Sequence, residues 1–139
     1  MRFQGSLSRD GNWWLVEVPI FDALTQGHTR KEAFAMIADW FVSMIDRKEF
    51  EVTIHKTAGD TFEIGSNDVR AMVSLMLRRQ RQKSGLTLAQ VAERLHAKSH
   101  NAYARYEQGL TVPTVEKLDE LLRAIAPDRD VVVRQSDAA

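Results

Sequence analysis

Leu86-Thr87-Leu88-Ala89-Gln90-Val91-Ala92-Glu93-Arg94-Leu95, closed further on by Tyr106-Glu107-Gln108-Gly109, is the stretch from which the architecture of this chain is read. Thr87 and Gln90 stand three apart at the head of an apolar-periodic run. At that spacing a threonine hydroxyl and a glutamine amide satisfy each other's free backbone N–H groups, so a helix starts here. Leu88, Val91, Ala92 and Leu95 fall on one side of it. Residues 96–99 form a turn, Ser99 to Gln108 a further helix, and Gly109 its left-handed cap.

Upstream, Ser66-Asn67-Asp68 can cap a helix over 69–83, with Ala71, Met72, Leu75 and Met76 turned inward. Arg78, Arg79, Arg81 and Lys83 crowd its last turns, where cations suit the helix dipole, and Gly85 stops it. Downstream, Thr111-Val112-Pro113-Thr114 opens a helix with the inward stripe Val115, Leu118, Leu121, Leu122 and Ile125, ended by Pro127. Four short helices with a tight turn between the second and third meet the needs of a helix-turn-helix module. Its third helix projects into the major groove while the neighbours brace it.

The wording of residues 86–95, with Tyr106-Glu107-Gln108-Gly109 and Pro113, resembles the phage-repressor (Cro/XRE-type) helix-turn-helix family over about residues 75–126. Ala92 matches the small residue where the second helix approaches the third. Two departures stand out: the interval from Ala92 to Gly109 is one residue longer than is usual, and His96 occupies the position of the usual turn glycine. The resemblance places the base-facing positions on His100, Asn101 and Arg105. Asparagine pairs bidentately with adenine and arginine with guanine, each good pair giving about 1–3 kcal/mol of discrimination, whereas His100 is a weaker reader. Arg78, Thr87, Gln90, Lys98 and Ser99 are expected at phosphates, which position the module and make binding salt-sensitive. Tyr103 and Tyr106 are expected to pack inward.

The formal charge of the 139 residues is zero, but it is segregated. Residues 1–69 carry 7 Lys/Arg against 11 Asp/Glu, residues 70–105 carry 8 against 1, and residues 106–139 carry 4 against 7. A segment at +7 between flanks at −4 and −3 concentrates positive potential where a polyanion can dock.

The first third reads differently. Phe3, Gly5 and Leu7 alternate with Arg2, Gln4 and Ser6, and Trp14, Val16 and Val18 with Trp13, Leu15 and Glu17, giving strands over 2–7 and 12–18 joined through Asp10-Gly11, an α+β beginning. Pro19 ends the second strand. Thr29 and Glu32 have the spacing of a capping box, and Ala33, Ile37, Trp40, Phe41 and Met44 form the apolar stripe of the helix that follows. Residues 50–54 return as a strand, with a further short strand at 61–64. Trp13 and Trp14 cannot both face the helix, so one is exposed or covered by a partner.

The run Trp14 to Pro19, then Leu24-Thr25-Gln26-Gly27-His28-Thr29-Arg30-Lys31-Glu32-Ala33, resembles the HicB family of antitoxins over about residues 2–55. The resemblance implies a degenerate ribonuclease H-like sheet with one helix that has lost catalytic competence. Gln4 and Ser6 on the first strand, with no carboxylate there, agree with that loss. It further implies a HicA-type messenger-RNA-cleaving toxin as protein partner, neutralised by direct binding, and repression of the shared operon. Trp13, Glu17 and Asp22 are the expected toxin-facing residues, because a basic RNA-binding partner calls for exposed acidic and aromatic side chains. The alternative is a transcriptional regulator whose first domain binds a ligand or oligomerises.

The expected organisation is an α+β toxin-binding domain over residues 1–65, an all-α helix-turn-helix domain over 66–127, and a C-terminal strand and tail over 128–139. Asp130 to Arg134 reads as the strand, added to the sheet or exchanged between subunits, and Gln135 to Ala139 as disordered. No cofactor, metal or enzymatic activity is expected. Cysteine is absent, no glycine-rich phosphate loop occurs, and His28, His55, His96 and His100 are scattered. No apolar run approaches the roughly 18 residues of a membrane span, and the polar start lacks a signal peptide's apolar region, so a cytoplasmic protein is expected. Reading a two-part operator calls for a homodimer or higher homo-oligomer.

Overall fold

The computed structural model describes residues 1–137. Two strands, β1 (Arg2–Asp10) and β2 (Trp13–Val18), form a hairpin, and β3 (Ala23–Gly27) follows a 3-10 turn at Pro19–Phe21. β1 runs longer than the periodicity predicts because Asp10 pairs with Trp13, leaving only Gly11, at φ +59°, and Asn12 in the turn. Helix α1 (Arg30–Ile45) comes next, then a second hairpin of β4 (Val52–Lys56) and β5 (Thr61–Ser66). The sheet order is β3-β2-β1-β5-β4, and every neighbouring pair is antiparallel.

Pairing fixes the faces. Leu7 opposes Val16 and Phe3 opposes Ile64, so Phe3, Leu7, Val16, Val18, Phe62 and Ile64 share one face. Ala33, Ile37 and Phe41 of α1 close over it. The Thr29 hydroxyl accepts from the Glu32 N–H at 3.0 Å, fixing where α1 begins. Gly27 lets β3 pass close beneath: a Cβ there would lie 2.5 Å from the Ala33 nitrogen. Trp14 packs on this covered face, between the guanidinium groups of Arg9 and Arg30, both 5.1 Å from its ring. Trp13, Leu15 and Glu17 point to the other face.

The second half is helical: α2 (Val69–Lys83), α3 (Leu88–Arg94), α4 (His100–Glu107) and α5 (Val115–Ile125). α2 is shared between two cores. Its Ala71, Met72, Leu75 and Met76 are buried in the core of the sheet, whereas Leu77 joins Val91, Tyr103, Leu121 and Ile125 in a second core. One helix on the sheet was expected from the sequence, and a second covers it in fact, because the apolar stripe of α2 is wide enough to serve two layers. Val115, read as the start of an inward stripe, is 87% exposed, since the first turn of α5 projects past its neighbours.

The junction is held by arginines. Arg79 donates to the carbonyl oxygens of Phe21 at 2.9 Å and Asp22 at 2.7 Å, and Gln80 donates to that of Ile20 at 2.6 Å. Those carbonyls belong to the tight turn after β2, which has no ladder partner for them.

The expected strand over Asp130–Arg134 is not formed. This segment runs extended without pairing, Val132 and Val133 being 83% and 93% exposed. Its side chains reach Glu63 on β5, a strand whose backbone is already paired on both sides, so no ladder bonds remain there for the tail to take. Ser136 and Asp137, read as part of a disordered end, are also engaged at that face, while Ala138 and Ala139 lie outside the described residues.

Candidate nucleic-acid interface

Three of the four helices in the second half end in the same way. After α2, α3 and α4, a residue at positive φ donates to the carbonyl three residues back, and the next N–H to the carbonyl five back. Gly85 (φ +70°) and Leu86 do this for α2, His96 (φ +53°) and Ala97 for α3, and Gly109 (φ +73°) and Leu110 for α4. His96 thus accepts the left-handed conformation that a glycine adopts freely at this turn.

The helix start at Thr87 is a complete capping box: Gln90 N–H donates to the Thr87 hydroxyl at 3.1 Å, and Thr87 N–H to the Gln90 side-chain oxygen at 2.8 Å. The Gln90 oxygen is thereby occupied, and its amide N–H2 is the part left for an outside acceptor. Leu88, predicted to be buried, is 36% exposed. Ser99 caps α4 in extended backbone (φ −150°) without a side-chain bond.

α4 buries Tyr103 and Ala104 and exposes His100, Asn101, Ala102 and Arg105. Asn101 and Arg105 are one helical turn apart and so lie on the same side. Among the described residues the side chains of Lys98, Ser99, His100, Asn101 and Arg105 make no hydrogen bond or ion pair within the chain.

Arg78 does not join them. Its guanidinium donates to the Met44 carbonyl at 3.1 Å, against the end of α1, and its buried Nε finds no acceptor among the described residues. The phosphate role expected for Arg78 is corrected accordingly: helical periodicity turns it toward the first half of the chain. Arg79, Arg81 and Arg94 are also bonded internally, so of the eight cations over 70–105 only Arg70, Lys83, Lys98 and Arg105 are free among the described residues. The excess charge counted along the sequence is in good part structural.

Arg81 and Glu107 tie α4 to α2. The carboxylate accepts from Nε at 2.7 Å and from Nη2 at 3.0 Å, while Nη1 reaches the Leu86 carbonyl at 2.9 Å. Hydrogen bonding to Glu107 raises the Arg81 pKa further above its ordinary value. The nearby Tyr103 hydroxyl is kept protonated, first by burial and then by the Glu107 charge. The sequence places Glu107 in the motif that closes α4 but carries no local sign of its pairing with Arg81, 26 residues earlier.

The toxin-facing candidates divide. Glu17 is exposed on the open face, and Trp13, 36% exposed, stacks on His28 with ring centroids 3.9 Å apart. Asp22, at φ +49°, instead closes the turn that receives Arg79, and its carboxylate lies 3.7 Å from that guanidinium. Trp13 and Asp22 sit at opposite ends of β2, so the structure does not bring the three together.

A cleft of about 490 Å³ lies between the two halves, lined by Met44, Arg47, Ser74, Arg78, Leu88 and Gln108 among others. Among the described residues no three His, Asp or Glu side chains gather as a metal site, and no helix is long and apolar enough to cross a membrane.

With this geometry in place, comparison with known families is direct. A family profile described as a helix-turn-helix domain matches residues 74–134. No curated protein matches the chain. The second half is a helix-turn-helix DNA-binding domain, and the chain has the character of a DNA-binding regulator. The match begins inside α2 at Ser74, and so takes in Leu75 and Met76 of the first core as well as Leu77 of the second.

Proposed function

We propose that this protein is a cytoplasmic antitoxin of the HicB kind in a type II toxin–antitoxin system. Its first half binds and neutralises a HicA-type messenger-RNA-cleaving toxin, and its second half represses the shared operon. The observation that carries this reading is the junction at Gly27–Glu32: a glycine passing under α1, a capping threonine and the following helix, joined to a helix-turn-helix domain in one chain. The first half, residues 1–65, is the toxin-binding unit, a sheet of degenerate ribonuclease H-like ancestry without catalysis. Trp13 and Glu17 offer the open face to a basic partner.

In the DNA-binding half, Asn101 and Arg105 read base edges and His100 assists. Lys98, Ser99, Thr87 and the Gln90 amide hold phosphates. A homodimer presents two such helices to two half-sites.

Co-expression with the product of an adjacent small open reading frame tests the assignment. Rescue of growth together with a stable complex is the expected result; no complex and no rescue would overturn it.

The cleft between the halves favours a second reading, a transcriptional regulator whose first domain binds a small ligand. Arg78, with one buried N–H unpaired among the described residues, lines that cleft. Under this reading no protein partner co-purifies and DNA affinity responds to a metabolite.

A further inference from the structure

Glu63 projects from β5 onto the sheet face opposite α1 and is nonetheless only 4% exposed. What buries it comes from the far end of the chain. Arg134 Nη2 donates to one carboxylate oxygen at 2.8 Å and the Ser136 hydroxyl to the other at 2.7 Å. Arg2 Nη1 adds a contact to Glu63 at 3.3 Å and holds the Asp137 carbonyl at 2.9 Å. Among the described residues, every hydrogen bond that fixes this tail to the sheet passes through Glu63 or Arg2, and the apolar residues Val131 to Val133 remain exposed.

Such a segment is attached by charge and not by packing. Under that covering layer the carboxylate is costly without cationic partners, so a segment that covers Glu63 must bring a cation or strong donor of its own to add to Arg2. The chain's own Arg134 meets that need while remaining 53% exposed, with a free side from which a competitor can approach. Nothing apolar must be torn open to exchange it.

We propose that the Glu63 slot is a docking site for an arginine on an extended segment of a basic protein partner, and that residues 131–137 fill it in the unbound protein as a displaceable stand-in. The inference deepens the partner-binding reading of the first half and rests on it. Charge complementarity supports it: the first 69 residues carry a net −4, and Glu63 is a buried carboxylate on the face that α1 leaves open, one strand in from the sheet edge. Gln4 and His55, its cross-strand neighbours in register, edge the slot.

The test uses the full chain and two probes. The first is a fluorescently labelled peptide of residues 129–137, followed by anisotropy. An Arg134→Ala/Ser136→Ala variant, whose changes lie in the exposed tail and leave the fold intact, is expected to bind the peptide on the order of tenfold or more tightly than the wild-type chain, which is already occupied. Adding Glu63→Gln to that variant, with its fold checked by thermal melting, should abolish the gain. Equal binding by all three proteins would overturn the slot. The second probe is the product of an adjacent small open reading frame, which the proposed function requires to be a basic protein. It should bind the tail variant more tightly than wild type and Glu63→Gln more weakly. Equal affinity for all forms overturns the slot while leaving partner binding intact, whereas no binding by any form overturns the partner reading and the slot with it.

Discussion

Glu107 accepts two parallel hydrogen bonds from the Arg81 guanidinium, and that pair is a side-chain link by which α4 is bolted to α2. With the side chains only 5% and 15% exposed, the pair is shielded from water and salt. Glu107→Ala leaves the arginine without its counter-charge, and a loss of about 3 kcal/mol is expected in urea unfolding. Operator affinity should fall as well, although Glu107 itself is turned away from the DNA-facing side.

The exposed side of α4 makes a contrasting prediction. Arg105→Ala and Asn101→Ala should each cost about 1–3 kcal/mol of operator binding, relax discrimination at one base pair and leave the melting temperature unchanged. Lys98→Ala should weaken all sequences alike and reduce the salt slope by about 0.9. Arg78→Ala should leave that slope where it is and lower stability, since its guanidinium serves Met44. Anisotropy titrations at several salt concentrations separate these cases.

His96 holds φ +53° in the turn between α3 and α4. Replacing it by glycine removes the left-handed penalty while adding chain entropy to the unfolded state. The two together give a net stabilisation of about 0.5 kcal/mol. A rise in thermal midpoint is the expected reading, and a fall would show that the imidazole makes a compensating contact.

Gly27→Ala acts in the opposite direction. The new methyl would stand 2.5 Å from the Ala33 nitrogen and 2.8 Å from the Glu32 carbonyl carbon, so the start of α1 must lift from β3. A destabilisation of about 1–3 kcal/mol follows, measurable by chemical denaturation.

Attachment of the tail should be lost in acid. The Ser136 hydroxyl first, then Arg2 and Arg134, hold the Glu63 carboxyl below its usual range against the opposing effect of burial. A group depressed in the folded state contributes above its unfolded pKa and ceases to contribute as pH falls through the folded value. The charged or titratable groups facing it are Arg2, Arg134 and His55. The tail should therefore stay docked at neutral pH and detach only in acid below the ordinary glutamate range, as followed by the Ser136 amide resonance.

Much of this was legible in the chain. The helix starts at Thr29 and Thr87, the stops at Gly85 and Gly109, and the α2 span of residues 69–83 rest on local rules that short sequence windows contain. The exposed positions His100, Asn101 and Arg105 came from the resemblance to the phage-repressor family, in spite of the extra turn residue. What escaped was nonlocal. Nothing near Arg78 or Arg79 tells whether their charges meet phosphate or the carbonyls of a turn 58 residues earlier. The valines at 131–133 carry strand propensity, but a strand needs a free edge, and the tail arrives at a paired interior. Glu63 was invisible because its partners lie 71 and 73 residues away.

α2 is a wall of two cores at once, and its consequence is mechanical. Chains whose domains meet through a linker can melt in two stages and pivot between them. Here neither half can lose its packing without stripping one side of the same fifteen-residue helix. Denaturation should accordingly proceed as one cooperative transition seen alike by the fluorescence of Trp13, Trp14 and Trp40, all in the first half, and by helical circular dichroism. Under the proposed function, a partner seated on the sheet would hold a lever whose other end is α4, the helix proposed to read DNA, so the angle between partner and operator would be set through α2.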